Sequence, residues 1–337
     1  MTLNIGVIGA GRIGSIHAET IAKRISSANL LAVSDVFEDA AKNLGQKLGV
    51  ENVYADHRRI LDDPQIDAVA ICSSTDTHAP FITEAAQAGK HIFCEKPIAI
   101  DLATIDGALA AVEKAGVKLQ IGFNRRFDPS FRAVRDLVDA GKLGEPRIIR
   151  ITSRDPEPPA VAYLQVSGGI FLDMTIHDFD MARFLVDSPV EEVYAVGTVL
   201  VDEKIGTEAN DVDTAVITLR YANGAICTID NCRDTSYGYD QRVEWFGSKG
   251  HAVAENHQPH RAVYTDADGV HAAKPLFFFL ERYMEAYIAE MQAFVTMIET
   301  DGDSPVTGHD GRAPVVIGLA AWKSVREGRP VKLSEIK

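Results

Sequence analysis

Leu3-Asn4-Ile5-Gly6-Val7-Ile8-Gly9-Ala10-Gly11-Arg12-Ile13-Gly14 is the stretch that decides the fold. A short β-rich run enters G-x-G-x-x-G directly, and a helical stretch to about Arg24 follows. Strand, glycine loop and helix in that order open a dinucleotide-binding βαβ unit. Gly9 permits the tight turn, Gly11 lets a pyrophosphate approach the backbone, and Gly14 lets helix and strand pack closely. The helix N-terminus adds N–H donors and a favourable dipole for phosphate. The loop candidates for cofactor binding are therefore Gly9, Gly11, Arg12, Ile13 and Gly14.

A second strand, Leu30 to Ser34, ends at Asp35, 21 residues after Gly14. An acid at that spacing accepts hydrogen bonds from the adenosine ribose and repels a 2′-phosphate, which favours NAD over NADP. The plain alternative for Asp35 is a turn or cap residue, and Arg12 in the loop softens the preference.

Strands then alternate with helices. Asn52–Tyr54 reads as a short strand and Ala68–Cys72 as a buried one, followed by the polar loop Ser73–His78 and a helix to Ala88. His91–Cys94 is the next strand, the helix Leu102–Ala115 follows, and Lys118–Gly122 is a sixth strand. Such alternation means a parallel, doubly wound sheet with ligands bound beyond the carboxyl ends of its strands. Ser73, Thr75, His78, Glu95 and Lys96 fall at those ends and join the cofactor candidates. Lys96 stands in Cys94-Glu95-Lys96-Pro97. The bland reading is a surface lysine in a strand-to-helix turn. Its position on the cofactor edge favours a functional one. Pro97 fixes its own φ and biases Lys96 towards extended backbone.

The texture changes after Gly122, which sets the expected domains at 1–122 and 123–337. A helix is expected near Ser130–Ala140. Alternating segments then recur at 147–154, 192–200, 214–221, 225–231 and 241–246, with Asn223-Gly224 as a tight hairpin signal. The expected fold class is α/β: a Rossmann sheet, then an α+β domain with a large open, mainly antiparallel sheet. Amphipathic helices are expected at Tyr283–Met297 and Arg312–Glu327. An open sheet with one uncovered face finds a partner, so a homo-oligomer through it is expected.

The chemically dense segment runs from Ser167 to Asp180. Asp173 and His177 are four residues apart and would share a face of one helix. A satisfied core histidine is the plain alternative for His177. A metal set of Asp173, His177, Asp178 and Asp180 is disfavoured, because Asp178 and Asp180 point to other helix faces. No metal is expected. His251, His257 and His260 lie in a polar, loop-like stretch and read as solvated.

Composition limits the partners. The net charge of -14 argues against nucleic acid and against an anionic membrane surface. With no long apolar run and no basic-then-apolar leader, a cytoplasmic protein is the default expectation. Cys72, Cys94, Cys227 and Cys232 show no CxxC pairing and read as reduced thiols.

The glycine loop Gly9–Gly14, Glu95-Lys96-Pro97, Gly168-Gly169, Asp173 and His177 together resemble the Gfo/Idh/MocA oxidoreductase family. The resemblance spans essentially the whole chain, including Asp310-Gly311-Arg312 and Gly328-Arg329-Pro330-Val331. Within the family, Ser153–Pro156, Val166–Gly169 and Tyr237-Gly238-Tyr239-Asp240 resemble the inositol-oxidising members most closely. That implies NAD-dependent oxidation of myo-inositol at C2 to 2-keto-myo-inositol by a homotetramer. Another cyclitol or sugar, such as scyllo-inositol or glucose, is the alternative. A non-catalytic dinucleotide-binding regulator is disfavoured, because Lys96, Asp173 and His177 are all present. The resemblance assigns catalysis to those three. It adds Arg126, Asp155 and a tyrosine of the 237–239 stretch, Tyr237 or Tyr239, to the substrate contacts. The Arg233-Asp234-Thr235-Ser236 run is the main departure and loosens the choice of substrate.

Overall fold

A computed structural model of the chain describes residues 2–337. The chain forms two compact units, Met1–Phe127 with Glu285–Val315, and Asp128–Met284 with Val316–Lys337. The sequence expectation put a single boundary at 122 and left 285–315 with the second domain.

The first unit is built on six parallel strands: β1 (Leu3–Ile8), β2 (Ala28–Ser34), β3 (Asn52–Tyr54), β4 (Ala68–Ile71), β5 (His91–Glu95) and β6 (Leu119–Gly122). Their order is β3-β2-β1-β4-β5-β6. Strand order reverses between β1 and β4, and ligands of doubly wound sheets bind at such a switch point. Four crossover helices, α1 (Arg12–Arg24), α2 (Glu38–Leu48), α3 (Arg58–Leu61) and α4 (Thr75–Gln87), precede β5, and α5 (Leu102–Ala115) precedes β6. Helices on both faces explain why β4 is buried along its whole length and reads as a continuous apolar run. The core gathers Ile5, Val7, Ala70 and Phe93 with Met291, Phe294, Val295 and Met297. The last four come from a helix far along the chain, α12 (Met284–Glu299), which brings 285–315 into this unit.

The second unit carries α6 (Pro129–Asp139), β7 (Pro146–Arg154), α7 (Val161–Ser167), α8 (Gly169–Asp173), α9 (Ile176–Leu185), β8 (Val190–Thr198) and α10 (Glu203–Thr207). There follow β9 (Thr214–Tyr221), β10 (Ile226–Cys232), β11 (Asp240–Gly247), β12 (His251–Ala254), the hairpin β13 (Val263–Asp266) and β14 (Gly269–Ala272), and α11 (Phe279–Arg282). The helices α12 (Met284–Glu299) and α13 (Gly308–Glu327) and the short strand β15 (Val331–Lys332) close the chain. Seven strands pair in the order β12-β11-β7-β10-β9-β8-β15. The β7–β10 pair is parallel and the others are antiparallel, so the sheet is mixed and mainly antiparallel. The Asn223-Gly224 turn joins β9 to β10, with Gly224 at φ 85°.

One sheet face is buried through Ile149, Ile151, Ile217, Leu219, Ile229 and Trp245. The indole Nε1 of Trp245 donates to the Leu185 carbonyl at 3.0 Å, fixing α9 on that face. The other face leaves Tyr194, Val196, Val216, Ile226, Phe246 and Val253 between 39 % and 55 % exposed. Among the described residues, no helix is long and apolar enough to cross a membrane.

Two expectations need correction. The 167–180 segment is two helices, α8 and α9, separated by Met174 and Thr175. At the break the Thr175 hydroxyl donates to Asn231 Oδ1 at 2.6 Å, a tie to β10. In the histidine-bearing stretch His251 and His260 are exposed as expected, whereas His257 is half-buried. His251 begins β12, 3.4 Å from Glu244, and His257 Nε2 lies 3.0 Å from Ser130 Oγ.

Candidate active site

In the first unit the glycine loop is shaped by close backbone approach. A Cβ on Gly9, which has φ +103°, would lie 2.6 Å from the Cys72 carbonyl, so the ends of β1 and β4 sit side by side. A Cβ on Gly14 would lie 1.9 Å from the Gly9 oxygen, whereas one on Gly11 would meet nothing within 4 Å. Helix α1 has no side-chain cap and no acid in its first turn. The loop thus leaves an open surface above Gly11 and an uncapped helix N-terminus, which fits a pyrophosphate. Arg12 is exposed and Ile13 half-buried beside it.

Asp35 closes the loop from the end of β2. Its Oδ2 accepts the Ala10 N–H at 2.7 Å and its Oδ1 the Phe37 N–H at 2.8 Å. The carboxylate is half-buried at the mouth of the loop, where ribose hydroxyls would reach it. Val36 and Phe37 beside it are 81 % and 76 % exposed. Exposed apolar groups next to an acid placed where a ribose would lie would suit an adenine ring, and they were missed in the sequence because Val36-Phe37 reads as a strand continuation.

Past β4, Ser73 Oγ and Thr77 Oγ1 are 2.6 Å apart, and Thr75 starts α4. His78 is buried, with Nδ1 2.8 Å from the Pro97 carbonyl and Nε2 3.0 Å from the Ser73 carbonyl. Burial lowers its pKa from the ordinary 6.5 against the pull of the two carbonyls. His78 therefore ties the Ser73 loop to Pro97, whose peptide bond with Lys96 is cis. Lys96 is half-buried just past the end of β5, and the Glu95 carboxylate lies 2.7 Å from His17 Nε2. Arg126 donates to Asp310 Oδ1 at 3.0 Å. Burial would raise the Asp310 carboxyl, but the Arg126 guanidinium and hydrogen bonds from Thr307 bring it down to about 2.

In the second unit, Asp173 is the last residue of α8 and His177 lies in the first turn of α9. Asp173 Oδ1 accepts the Tyr163 hydroxyl at 2.8 Å. Its Oδ2 accepts from Arg233 Nη2 at 3.2 Å, while Arg233 Nη1 lies 4.0 Å from Asp155 Oδ2. Arg233 is 1 % exposed, so these acids compensate an otherwise costly buried charge. Arg233 and Tyr163 were not picked out from the sequence as site residues. Beneath α9, the buried Asp178 receives the Ser153 hydroxyl at 2.5 Å and the Asn231 amide at 2.8 Å. Asp178 is thereby committed to anchoring α9.

The two tyrosine candidates lie in the turn before β11 and differ in their partners. Ser153 and Asn231 face α9, so their neighbours Arg154 and Asp230 face the other side of the sheet. Tyr237 belongs with those neighbours: its hydroxyl accepts from Arg154 at 3.0 Å and donates to Asp240 at 2.7 Å. Tyr239 is buried and packs edge-on against Tyr283, with ring centroids 6.0 Å apart.

A glycine loop at a parallel switch point, an acid at the end of β2 and a polar lysine-bearing strand end define a dinucleotide-binding oxidoreductase unit. Residues 3–123 match the model of the oxidoreductase family with an NAD-binding Rossmann fold, and residues 131–253 match the GFO/IDH/MocA C-terminal domain. The chain belongs to the Gfo/Idh/MocA oxidoreductase family. It is 50 % identical to a myo-inositol 2-dehydrogenase of Thermotoga maritima, over 99 % of both chains. It is 45 % identical to an inositol 2-dehydrogenase of Rhizobium meliloti, over 99 % of this chain and 100 % of that one. The structure of scyllo-inositol dehydrogenase from Lactobacillus casei with NAD(H) and scyllo-inositol superposes with a TM-score of 0.91 at 31 % identity, covering 99 % of this chain and 100 % of that one.

Proposed function

We propose that this chain oxidises myo-inositol at C2 to 2-keto-myo-inositol, with NAD as the oxidant. One observation carries the reading. A chain matching a myo-inositol 2-dehydrogenase over 99 % of its length holds Asp173 at two points, next to the helical turn that bears His177. The loop Gly9–Gly14 would hold the pyrophosphate and Asp35 the ribose, with Ser73, Thr75 and Glu95-Lys96 along the same edge. Bound NAD supplies the hydride acceptor.

The chain's own residues manage the proton and the oxygen. Imidazole titrates near neutrality, which suits His177 to accept the hydroxyl proton. Asp173, fixed by Arg233 and Tyr163, orients that ring and stabilises its charged form. Lys96 donates to the alcohol oxygen and stabilises developing negative charge. Arg126 and Asp155 bind other hydroxyls. A tyrosine of the 237–239 stretch, Tyr237 or Tyr239, binds a further hydroxyl.

A homotetramer in the cytoplasm completes the proposal. Six exposed apolar side chains on one sheet face support assembly through that face. Oxidation of scyllo-inositol is the second reading, supported by the Lactobacillus casei enzyme.

The test is NADH formation with myo-inositol, scyllo-inositol and glucose in parallel. Highest kcat/KM on myo-inositol is expected, and a preference for glucose refutes the cyclitol assignment. Lys96→Ala and His177→Ala should each lower turnover about 100-fold or more while NADH still binds. Near-normal turnover in either variant removes that residue from the mechanism.

A further inference from the structure

Next to Lys96 in the chain, within the first unit, lies a group of ionisable side chains, two of them fully buried and one half-buried, whose mutual contacts the mechanism does not use. His17 on α1 is 0 % exposed, and its Nε2 is 2.7 Å from Glu95 Oε1. Glu290 of α12 is also fully buried, and ligand-type atoms of His17, Glu95 and Glu290 all lie within 4.8 Å of one another. Aromatic rings wall the group: His17 meets Phe93 at 4.8 Å and Tyr287 at 5.6 Å between centroids, both edge-on. On the other side of Glu95 is Gly122, where a Cβ would stand 3.0 Å from the carboxylate. The thiols of Cys72 and Cys94 adjoin the group. Burial pushes both upward, and the neighbouring Glu95 adds to the effect.

The His17–Glu95 spacing is that of a hydrogen bond. Two ligands sharing a tetrahedral zinc at about 2.0–2.2 Å would stand roughly 3.3 Å apart. Burying a carboxylate is costly without such a bond, so His17 fixes where Glu95 points. The β5–β6 ladder ends at the Glu95–Gly122 pair. Lys96 is therefore the first residue past the sheet's restraint, and Glu95 is its last anchor. His17 lies one turn beyond Gly14 on α1. The His17–Glu95 hydrogen bond thus joins the phosphate-side helix to the segment that carries Lys96.

We propose that His17 is a positioning residue for Lys96. Acting through Glu95, it sets the backbone from which Lys96 reaches the alcohol oxygen, and it locks that segment to the glycine-loop helix. This rests on the catalytic assignment of Lys96 proposed above.

The test is a double-mutant cycle on the NAD-loaded enzyme, with His17→Ala, His17→Gln, Lys96→Ala and the pair His17→Ala/Lys96→Ala. His17→Ala should lower kcat about 10- to 100-fold through misplacement of Lys96, with KM for inositol and NADH affinity within about twofold. His17→Gln, which keeps an N–H donor, should recover most of the loss. In the Lys96→Ala background, adding His17→Ala should change residual turnover by less than about twofold, because both act through one group. A purely structural role predicts additive losses and no rescue, and that result overturns the proposal. Unchanged kcat in His17→Ala does so as well. Gly122→Ala presses on the Glu95 carboxylate from the opposite side and gives a second route if His17→Ala fails to fold. The same Lys96-dependent loss is expected, and additivity there overturns the proposal. A stoichiometric metal found by elemental analysis of the purified protein also overturns it. Failure of the Lys96 assignment is read separately, from near-normal turnover in Lys96→Ala alone.

Discussion

Arg233→Met tests how the second unit holds Asp173. The guanidinium is 1 % exposed and donates to Asp173 Oδ2 at 3.2 Å, and the Asp173 side chain is itself only 13 % exposed. Water cannot fully replace the lost donor. Removing one member of a buried pair costs about 3–5 kcal/mol. The 4.0 Å approach to Asp155 is too long to add a hydrogen bond, and Tyr163 still holds Asp173 at 2.8 Å. The lower end applies, about 3 kcal/mol. At roughly 2–4 °C per kcal/mol for a unit of this size, Tm should fall by about 6–12 °C. Turnover should fall about 100-fold, because Asp173 no longer presents a fixed oxygen to its neighbours. Arg233→Lys keeps the charge without the fork and should show a smaller Tm loss. Calorimetry and NADH formation are the assays. The control is Arg233→Met/Asp173→Leu, which removes both charges and should recover most of the lost stability. Unchanged Tm and kcat in Arg233→Met would refute the reasoning, as would a double variant no more stable than the single one.

Asp35→Ser should narrow the preference for NAD over NADP, measured as the ratio of kcat/KM values, and an unchanged ratio removes Asp35 as the ribose ligand. Gly14→Ala places a Cβ 1.9 Å from the Gly9 oxygen, a clash between backbone atoms that no rotamer relieves. Loss of NADH binding by about 100-fold or more is expected, and near-normal affinity by fluorescence titration counts against the loop geometry. The Arg126–Asp310 pair should make itself felt in acid. The Asp310 carboxyl at about 2 lies below its ordinary value of 3.8, so its stabilisation is complete above about pH 4 and fades as pH falls towards 2. The difference in urea midpoint between wild type and Asp310→Asn should therefore shrink between pH 5 and pH 2.5, and a constant difference refutes the pairing. Val196→Lys/Val216→Lys should yield a smaller species by light scattering, and an unchanged mass excludes the open sheet face as the interface.

The glycine loop, the alternation of strands and helices and the Asn223-Gly224 hairpin were readable because their signals are local. Each is set by the residues that make it: glycines where backbone crowds, apolar runs where both faces are covered. The break between α8 and α9 was hidden, since Ile170, Phe171, Leu172, Met174, Ile176 and Phe179 sustain apolar content straight through it. At the break Thr175 donates to Asn231, 56 residues away, a contact that no local pattern shows. Arg233 was hidden for a related reason, because an arginine among polar residues reads as surface until the fold closes acids around it. Tyr237 and Tyr239 could not be separated by spacing. Their difference lies in which partners the folded sheet offers to each. The β13–β14 hairpin is short, and its strands are exposed along nearly their whole length, so it left no alternation of buried and solvated positions to read.

The return of residues 285–315 to the first unit has a consequence for how the protein is made. Met291, Phe294, Val295 and Met297 fill the same core as Ile5 and Val7, yet they are synthesised long after β6. At about 5–20 residues per second, the ribosome needs roughly 10–40 s to travel from residue 127 to residue 315. Over that interval the nascent dinucleotide unit waits with part of its core missing. A fragment cut at residue 122 or 127 is permanently in that waiting state. It should expose apolar surface and require a chaperone or an added α12 peptide to become stable.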